Sequence, residues 1–198
     1  AEHAKSNCLQ MILSGTAAGV IGAAFIAEQC ALPHALSLDI GGTSADVALI
    51  QGGRPHYATG ERIGDFAIHI PSVSVSSIGA GGGTIARVDE FGVLKVGPES
   101  AGSNPGPACY GRGGTRPTVT DAFVALGFLG HSELGYSAVT VDRAKSVAAI
   151  APLAKSLDID VARAAQMIVD VAVSGMFAES SGVLLNRMRR KRPVAPLL

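Results

Sequence analysis

The sequence has no tryptophan, and aromatic residues make up only 5% of its 198 residues. This scarcity argues against an aromatic stacking platform for single-stranded nucleic acid. Charged residues are also few, at 16% against roughly 25% in an ordinary soluble domain. Because so few charges cover a domain surface poorly, we expect part of this surface to face another domain or subunit. An apolar content of 47% with so little charge excludes intrinsic disorder.

The formal net charge is zero, but the charges are unevenly distributed. Five of the 16 basic residues lie in the segment 187–192, and no acidic residue follows residue 186. Residues 1–186 therefore carry 11 basic and 16 acidic groups. A mildly acidic body argues against a groove for a phosphate backbone, so we expect no nucleic acid partner.

Cysteine is scarce too, since Cys8, Cys30 and Cys109 are odd in number and form no C-x-x-C pair. This usage favours a reducing compartment over a disulfide framework and excludes a zinc ribbon. The uncharged stretch 6–27 is long enough to span a membrane, but about half of it is small or polar. No basic region precedes a short apolar core, so a buried helix is favoured over a membrane span. We expect a cytoplasmic protein without a membrane partner.

Hydrophobic periodicity predicts a strand-rich first half, a glycine-rich loop over 97–117 and then helices. The predicted strands lie at 36–40, 46–50, 67–75, 84–89 and 93–96, with a turn at 41–44. The predicted helices lie at 17–30, 121–129, 142–157 and 160–186, with Thr120 as the N-cap of the second. This order indicates an α/β chain of β-hairpins and sheet followed by packed helices.

The most informative segment is Leu38-Asp39-Ile40-Gly41-Gly42-Thr43-Ser44-Ala45-Asp46-Val47. A carboxylate ends an apolar strand, and a glycine turn with two hydroxyls leads into a second strand. Glycines let backbone N–H groups approach phosphate oxygens, and a carboxylate beside a phosphate suits hydrated Mg²⁺. On this spacing alone, a plain β-hairpin stays an open alternative. The glycine run at 79–83 is a weaker candidate of the same kind, because it could mark only a sharp bend.

This pattern resembles the phosphate hairpin of the actin, hexokinase and sugar-kinase superfamily. Further motifs resemble those of the hydantoinase A/oxoprolinase family, namely SGTAAGVIGA at 14–23, SIGAGGGTIA at 77–86, VGPESAG at 96–102, PGPACYGRGG at 105–114 and PTVTDA at 117–122. The resemblance covers about residues 10–182. It implies that the chain is part of one lobe of an actin/hexokinase-like ATPase fold. Members include ATP-dependent N-methylhydantoinase, 5-oxoprolinase and subunits of acetone carboxylase.

The resemblance implies a parent enzyme that hydrolyses a cyclic amide or imide of the hydantoin or 5-oxoproline type, using ATP and a phosphorylated intermediate. The implied catalytic residues are Asp39, which would hold Mg²⁺ through water, and Asp46, which would orient the hairpin or a catalytic water. The implied nucleotide-binding residues are Gly41, Gly42, Thr43, Ser44, Gly81, Gly82 and Gly83.

A further divalent metal is doubtful on this sequence. Many relatives carry an Asp and a His or Arg where this chain has Ser74 and Ser76. Cys109 and Asp121 would be companion ligands, but serine is a poor ligand for a transition metal. On the residues alone, Cys109 is more typical of a small core residue. Asp121 is equally typical of a helix start.

Family members are several times longer and carry a second such hairpin in an N-terminal lobe. The resemblance therefore implies a second-lobe fragment over 1–186, followed by a truncated or disordered basic tail over 187–198. It also implies partners, which are the missing N-terminal lobe or a hydantoinase B-type subunit, and we expect a homo-oligomer.

Two other interpretations stay open. The low charge, the single hairpin and the two serines favour a non-catalytic or degenerate fragment that serves as an interface module, and we expect the isolated chain to be inactive. The same motifs permit a subunit of an acetone-carboxylase-like ligase.

Overall fold

The computed structural model describes residues 14–58, 61–63, 66–68, 72–130 and 140–190. The helices are α1 (Ser14–Gln29), α2 (Val119–Ala125), α3 (Arg143–Ser156) and α4 (Val161–Arg190), with a short 3₁₀ helix at Ala108–Tyr110. The strands are β1 (His34–Ile40), β2 (Ala45–Gln51), β3 (Arg54–Pro55), β4 (Tyr57–Ala58), β5 (Glu61–Ile63), β6 (Phe66–Ile68), β7 (Ser72–Val73), β8 (Val75–Ile78), β9 (Thr84–Val88) and β10 (Leu94–Ser100). Strands followed by helices confirm the predicted α/β class.

Three predicted boundaries were wrong. The strand predicted over 67–75 is divided at Ser74, since β7 ends at Val73 and β8 begins at Val75, and residues 69–71 lie outside the described residues. The loop predicted from residue 97 begins later, because β10 continues to Ser100, which pairs with Thr84. The helix predicted over 121–129 is α2, which ends at Ala125.

The N-cap of α2 is Thr118 rather than the predicted Thr120. Thr118 has an extended backbone, and its side chain accepts a hydrogen bond from the Asp121 N–H. The Asp121 carboxylate in turn accepts from the Thr118 N–H, which completes a capping box. The helix therefore begins at Val119, two residues before the start predicted from the apolar spacing.

Contacts divide the described chain into two compact units. The first unit contains 1–39, 46–77 and 183–198, and the second contains 40–45 and 78–182. The single domain predicted over 1–186 stays a prediction. Of the predicted basic tail, only the backbone of 187–190 is described, as the end of α4, and 191–198 lie outside the described residues.

The first unit is built on a sheet of order β1-β2-β3, in which β8 also pairs with β2. Four residues join β1 to β2, and so short a connection permits only antiparallel pairing. The helix α1 packs on this sheet through Val20, Ala24 and Ala27. Its opposite side exposes Ile21, Phe25 and Ile26, so the burial expected for this helix is one-sided. Residues 6–13 of the uncharged stretch lie outside the described residues.

The second unit packs the β9–β10 hairpin against α2, α3 and α4. The hairpin is antiparallel, and its turn is closed by the Asp89 carboxylate, which accepts the N–H groups of Phe91 and Val93. The core is dominated by small and aliphatic residues, among them Ala122, Ile150, Ala164, Ala165 and Ile168. The stretch Val161–Gly182 of α4 is long and apolar enough to cross a membrane, a test that core helices of soluble proteins also pass. Its inner face is part of this core.

Candidate functional site

The turn between β1 and β2, Gly41 to Ser44, lies where the sequence predicted the turn of a phosphate hairpin, and its role toward phosphate stays a prediction. We call these four residues the hairpin tip. The Gly41 N–H closes the turn on the Ser44 carbonyl at 2.8 Å. The N–H groups of Gly42, Thr43 and Ser44, and both hydroxyls, make no hydrogen bond within the part of the chain that the structure describes. Successive free N–H donors with adjacent hydroxyls are suited to phosphate oxygens.

The glycine run at 79–83 lies against the hairpin tip. The Gly82 N–H donates to the Gly41 carbonyl at 2.9 Å, and the Gly83 N–H donates to the Gly42 carbonyl at 2.6 Å. A Cβ at Gly81 would lie 2.7 Å from the Gly41 oxygen, and one at Gly83 would lie 2.8 Å from the Gly42 oxygen. Because these are backbone atoms that cannot swing aside, the two backbones approach this closely only with glycine at both positions.

The sequence placed Gly81, Gly82 and Gly83 close to nucleotide or substrate, and that assignment stays a prediction. The structure gives them another role, because their N–H groups are all engaged within the protein. The Gly81 N–H donates to the Thr84 hydroxyl at 2.8 Å, and the other two hold the hairpin tip. Sequence reasoning missed this role, since a glycine run carries no signal of what packs against it.

The two candidate catalytic carboxylates, Asp39 and Asp46, line one cavity of about 160 Å³ in the first unit. The Asp46 carboxylate accepts hydrogen bonds from the Thr16 hydroxyl at 3.1 Å and the Ser77 hydroxyl at 2.5 Å. Asp39 is exposed, and its carboxylate makes no hydrogen bond or ion pair among the described residues. Asp46 is therefore fixed between α1 and β8, whereas Asp39 keeps its lone pairs for a ligand.

The donors around this cavity fit Mg²⁺. They are carboxylate and hydroxyl oxygens, with Ser37 and Thr16 beside the two aspartates. Mg²⁺ in proteins keeps several waters and takes one or two carboxylates together with substrate phosphates. Among the residues described, no three His, Cys, Asp or Glu side chains gather as a metal-binding group.

Sequence reasoning missed Thr16 and Ser77 as partners of Asp46. Both lie in motifs that carried the family resemblance, at 14–23 and 77–86. They are about 30 residues away from Asp46 in opposite directions, so no local spacing rule connects them. The only signal in the sequence was that both hydroxyls belong to motifs of the same family resemblance as the Asp46 motif.

Asp121 is fully buried and accepts five hydrogen bonds. Its Oδ1 accepts from the Cys109 N–H and the Ser146 hydroxyl. Its Oδ2 accepts from the Ala108 N–H and from both the N–H and the hydroxyl of Thr118. The carboxylate thus joins the glycine-rich loop to the starts of α2 and α3, which is a structural role.

Cys109, the other doubtful metal ligand, is buried beside that carboxylate. Burial, and then the charge of Asp121, raise the pKa of its thiol to about 12. The thiolate is the form that binds metals and attacks electrophiles. A thiol that stays protonated at neutral pH is a poor nucleophile, and the metal-ligand role of Cys109 stays a prediction.

Comparison with known proteins shows which family this chain belongs to. A model of the hydantoinase/oxoprolinase family matches residues 1–191. The chain belongs to the hydantoinase/oxoprolinase family. The family resemblance carried by the five motifs is thereby confirmed.

Individual relatives agree with this membership. The chain is 38% identical to caprolactamase subunit alpha of Pseudomonas jessenii, over 92% of this chain and 26% of that protein. It is 40% identical to the acetophenone carboxylase gamma subunit of Aromatoleum aromaticum, over 78% of this chain and 21% of that protein. The crystal structure of ATP-dependent caprolactamase from P. jessenii superimposes with a TM-score of 0.72 at 39% identity, covering 84% of this chain and 24% of the solved one. The chain thus spans about a quarter of the length of the relatives that it matches.

Proposed function

We propose that this chain is the phosphate-binding part of an ATP-dependent enzyme that hydrolyses a cyclic amide or imide. The observation that carries the proposal is the hairpin tip, in which three successive N–H groups and two hydroxyls have no partner in the described structure. Family membership supports it, because one relative is named for a lactam, which is a cyclic amide, and is described as ATP-dependent.

The chemistry explains why such an enzyme uses ATP. An amide carbonyl is a weak electrophile, and its nitrogen is a poor leaving group. Transfer of the γ-phosphoryl group to the carbonyl oxygen, with release of ADP, gives a phosphorylated intermediate. Water then adds to the activated carbon, the carbon–nitrogen bond breaks, and the amine leaves with a proton. A second water cleaves the remaining acyl phosphate into carboxylate and inorganic phosphate. Positioning and charge neutralisation carry most of such a phosphoryl transfer.

Within this scheme the residues of this chain bind and orient. The N–H groups of Gly42, Thr43 and Ser44 hold phosphate oxygens, and the two hydroxyls add donors. Asp39 would hold hydrated Mg²⁺, which would supply neutralisation of phosphate charge. Asp46 keeps the base of the hairpin in place through Thr16 and leaves no oxygen without a donor.

Titration of this chain with Mg-ATP, followed by NMR, tests the proposal. We expect a Kd in the millimolar range, equivalent to about −4 kcal/mol, because the resemblance implies that ATP is held between two hairpins and the described residues supply one. Shift changes should centre on residues 42–44, and Asp39→Ala should weaken them. Asp170→Ala, an exposed carboxylate of α4 bonded to Gln166, is the matched control. Saturating Mg-ATP that leaves 42–44 unshifted refutes the proposal.

A carboxylating enzyme is the second candidate, because one relative is the gamma subunit of an acetophenone carboxylase. Assays of the whole enzyme separate the two reactions. ADP release that depends on a hydantoin, 5-oxoproline or a lactam supports hydrolysis. ADP release that depends on a ketone together with bicarbonate supports carboxylation.

A partner subunit belongs to the same proposal. Two relatives are named as subunits, alpha and gamma, and the chain covers only part of each. We propose a hydantoinase B-type subunit or the first lobe as the partner and the cytoplasm as the location. Without its partner, this chain should hydrolyse no ATP above the buffer rate, as the interface-module interpretation also expects.

A further inference from the structure

We propose that Thr120 is a positioning residue that orients the free N–H groups of the hairpin tip through the glycine run, without contacting nucleotide. The consequence for nucleotide rests on the proposed function. The hydrogen-bonded relay itself is a property of the ligand-free protein. Every residue of the relay lies in the second unit.

The relay begins at the start of α2. Thr120 is buried, and both its N–H and its hydroxyl donate to the Gly82 carbonyl, at 2.7 and 2.8 Å. That carbonyl and the Gly83 N–H belong to one peptide unit, which is planar. Thr120 therefore fixes the orientation of this peptide unit. The Gly83 N–H of the same unit donates to the Gly42 carbonyl at 2.6 Å.

The second step is in the hairpin tip. In a trans peptide the carbonyl and the N–H point in opposite directions, and among the described residues only the bonds before Pro98 and Pro105 are cis. The Gly41 and Gly42 carbonyls are held by the glycine run. The N–H groups of the same two peptide units, which belong to Gly42 and Thr43, consequently point away from that run. These are two of the three free donors assigned to phosphate.

The anchor of the relay is rigid. Thr120 is the second residue of α2, and it lies between the two members of the capping box, Thr118 and Asp121. The five hydrogen bonds on Asp121 fix this helix start in the core. Contact with the run is close as well, since a Cβ at Gly82 would lie 2.6 Å from the Thr120 hydroxyl. Backbone donors oriented before a ligand arrives bind it at lower entropic cost.

The test compares Thr120→Val, which keeps the shape but removes the hydroxyl, with Thr120→Ser, which keeps the hydroxyl. Amide hydrogen exchange and NMR shifts are measured on the chain without ligand. Loss of one hydrogen bond should speed exchange of the Gly83 amide by about fivefold to tenfold and shift the Gly42 and Thr43 amides. Serine should restore both readouts. Amides of the β9–β10 hairpin should stay unchanged in both variants.

A matched control addresses the other partner of the same hydroxyl. Tyr110 also interacts with the Thr120 side chain, and Tyr110→Phe removes the tyrosine hydroxyl while leaving the Thr120 hydroxyl bonded to the Gly82 carbonyl. We expect exchange at Gly83 within about twofold of the parent chain in this variant, because the bond that orients the peptide is intact. If valine unfolds the protein, Thr120→Ala provides the same comparison with serine.

Binding provides the second readout. The Kd for Mg-ATP should rise by about fivefold to tenfold in Thr120→Val and return with serine. If the parent chain binds no Mg-ATP, the proposed function fails, and the exchange experiment still decides the relay. The relay is overturned if Gly83 exchange is unchanged in Thr120→Val, or if valine and serine change it equally.

Discussion

Replacing Asp121 by asparagine removes a charge and an acceptor from the interior of the second unit while keeping the shape of the side chain. In the parent chain the two carboxylate oxygens share five donors, three of them backbone N–H groups. An asparagine has one carbonyl oxygen, so it can serve only one side of this arrangement. Its amide nitrogen would face the donors on the other side.

The loss of stability in Asp121→Asn follows from the more favourable of the two orientations that the side-chain amide can adopt. With the carbonyl oxygen at the Oδ2 position, the Ala108 and Thr118 donors stay bonded, and the Ser146 hydroxyl can turn to accept. The Cys109 N–H is left buried and opposed by another donor, which costs about 1–3 kcal/mol. The remaining bonds lose the strengthening that an ionised acceptor gives. We expect the free energy of unfolding to fall by about 3–5 kcal/mol in total, a large fraction of the 5–15 kcal/mol that typically stabilises a domain.

Urea unfolding followed by far-ultraviolet circular dichroism measures this loss, since the sequence offers no tryptophan signal. Asp170→Asn is the control, because that carboxylate is exposed and bonds only Gln166, and it should stay within about 0.5 kcal/mol. The slope of the transition should not change, so that the midpoint alone reports stability. A loss below about 1 kcal/mol in Asp121→Asn would refute the role given to the five bonds.

Three further outcomes are expected. Iodoacetamide at neutral pH should modify the exposed Cys30 but not Cys109 until the chain is denatured, because burial raises the pKa of the Cys109 thiol to about 12. The pKa of this thiol is higher in the folded chain than its ordinary value of 9.0. The contribution of the buried, protonated thiol to folding stability is therefore complete below pH 9.0 and is lost as the pH rises toward 12. Hydrogen bonds led by the Val93 N–H lower the pKa of Asp89 below its ordinary 3.8. An NMR titration of Asp89 should show the lowered pKa. The contribution of the ionised carboxylate to folding stability is present above pH 3.8 and is lost as the pH falls through the lowered pKa. Phe177→Glu, on the exposed side of α4, should reduce self-association in sedimentation experiments, and an unchanged profile would contradict the expected homo-oligomer.

Much of the fold could be predicted from local patterns. The helix predicted over 142–157 is α3, Arg143–Ser156, because its apolar residues recur at helical spacing and Asp142 caps it. The turn at 41–44 was found because two glycines separate two apolar runs. Thr118 was missed as a cap although Thr118 and Asp121 have the spacing of a capping box. The apolar pattern alone had suggested a later start.

The candidate site could be predicted only where its residues are neighbours in the chain. Asp39 and the hairpin tip belong to one continuous stretch of sequence, so local sequence reasoning could propose both of them as site residues. The partners of Asp46 are 30 and 31 residues away, and Thr120 is 38 residues from Gly82. Such contacts depend on how the helices and strands pack together. Local patterns in a single sequence do not reveal which distant residues become neighbours.

The turns at 41–44 and 79–83 show why composition alone is ambiguous. Glycine permits a backbone to approach a phosphate, and it equally permits a backbone to approach another backbone. The destination of each N–H group separates the two cases. At Gly81, Gly82 and Gly83 every N–H is bonded within the protein, whereas at 42–44 none is within the described residues. The turn with fewer glycines is therefore the one with donors available to an anion, and the turn richer in glycine is the support that orients them.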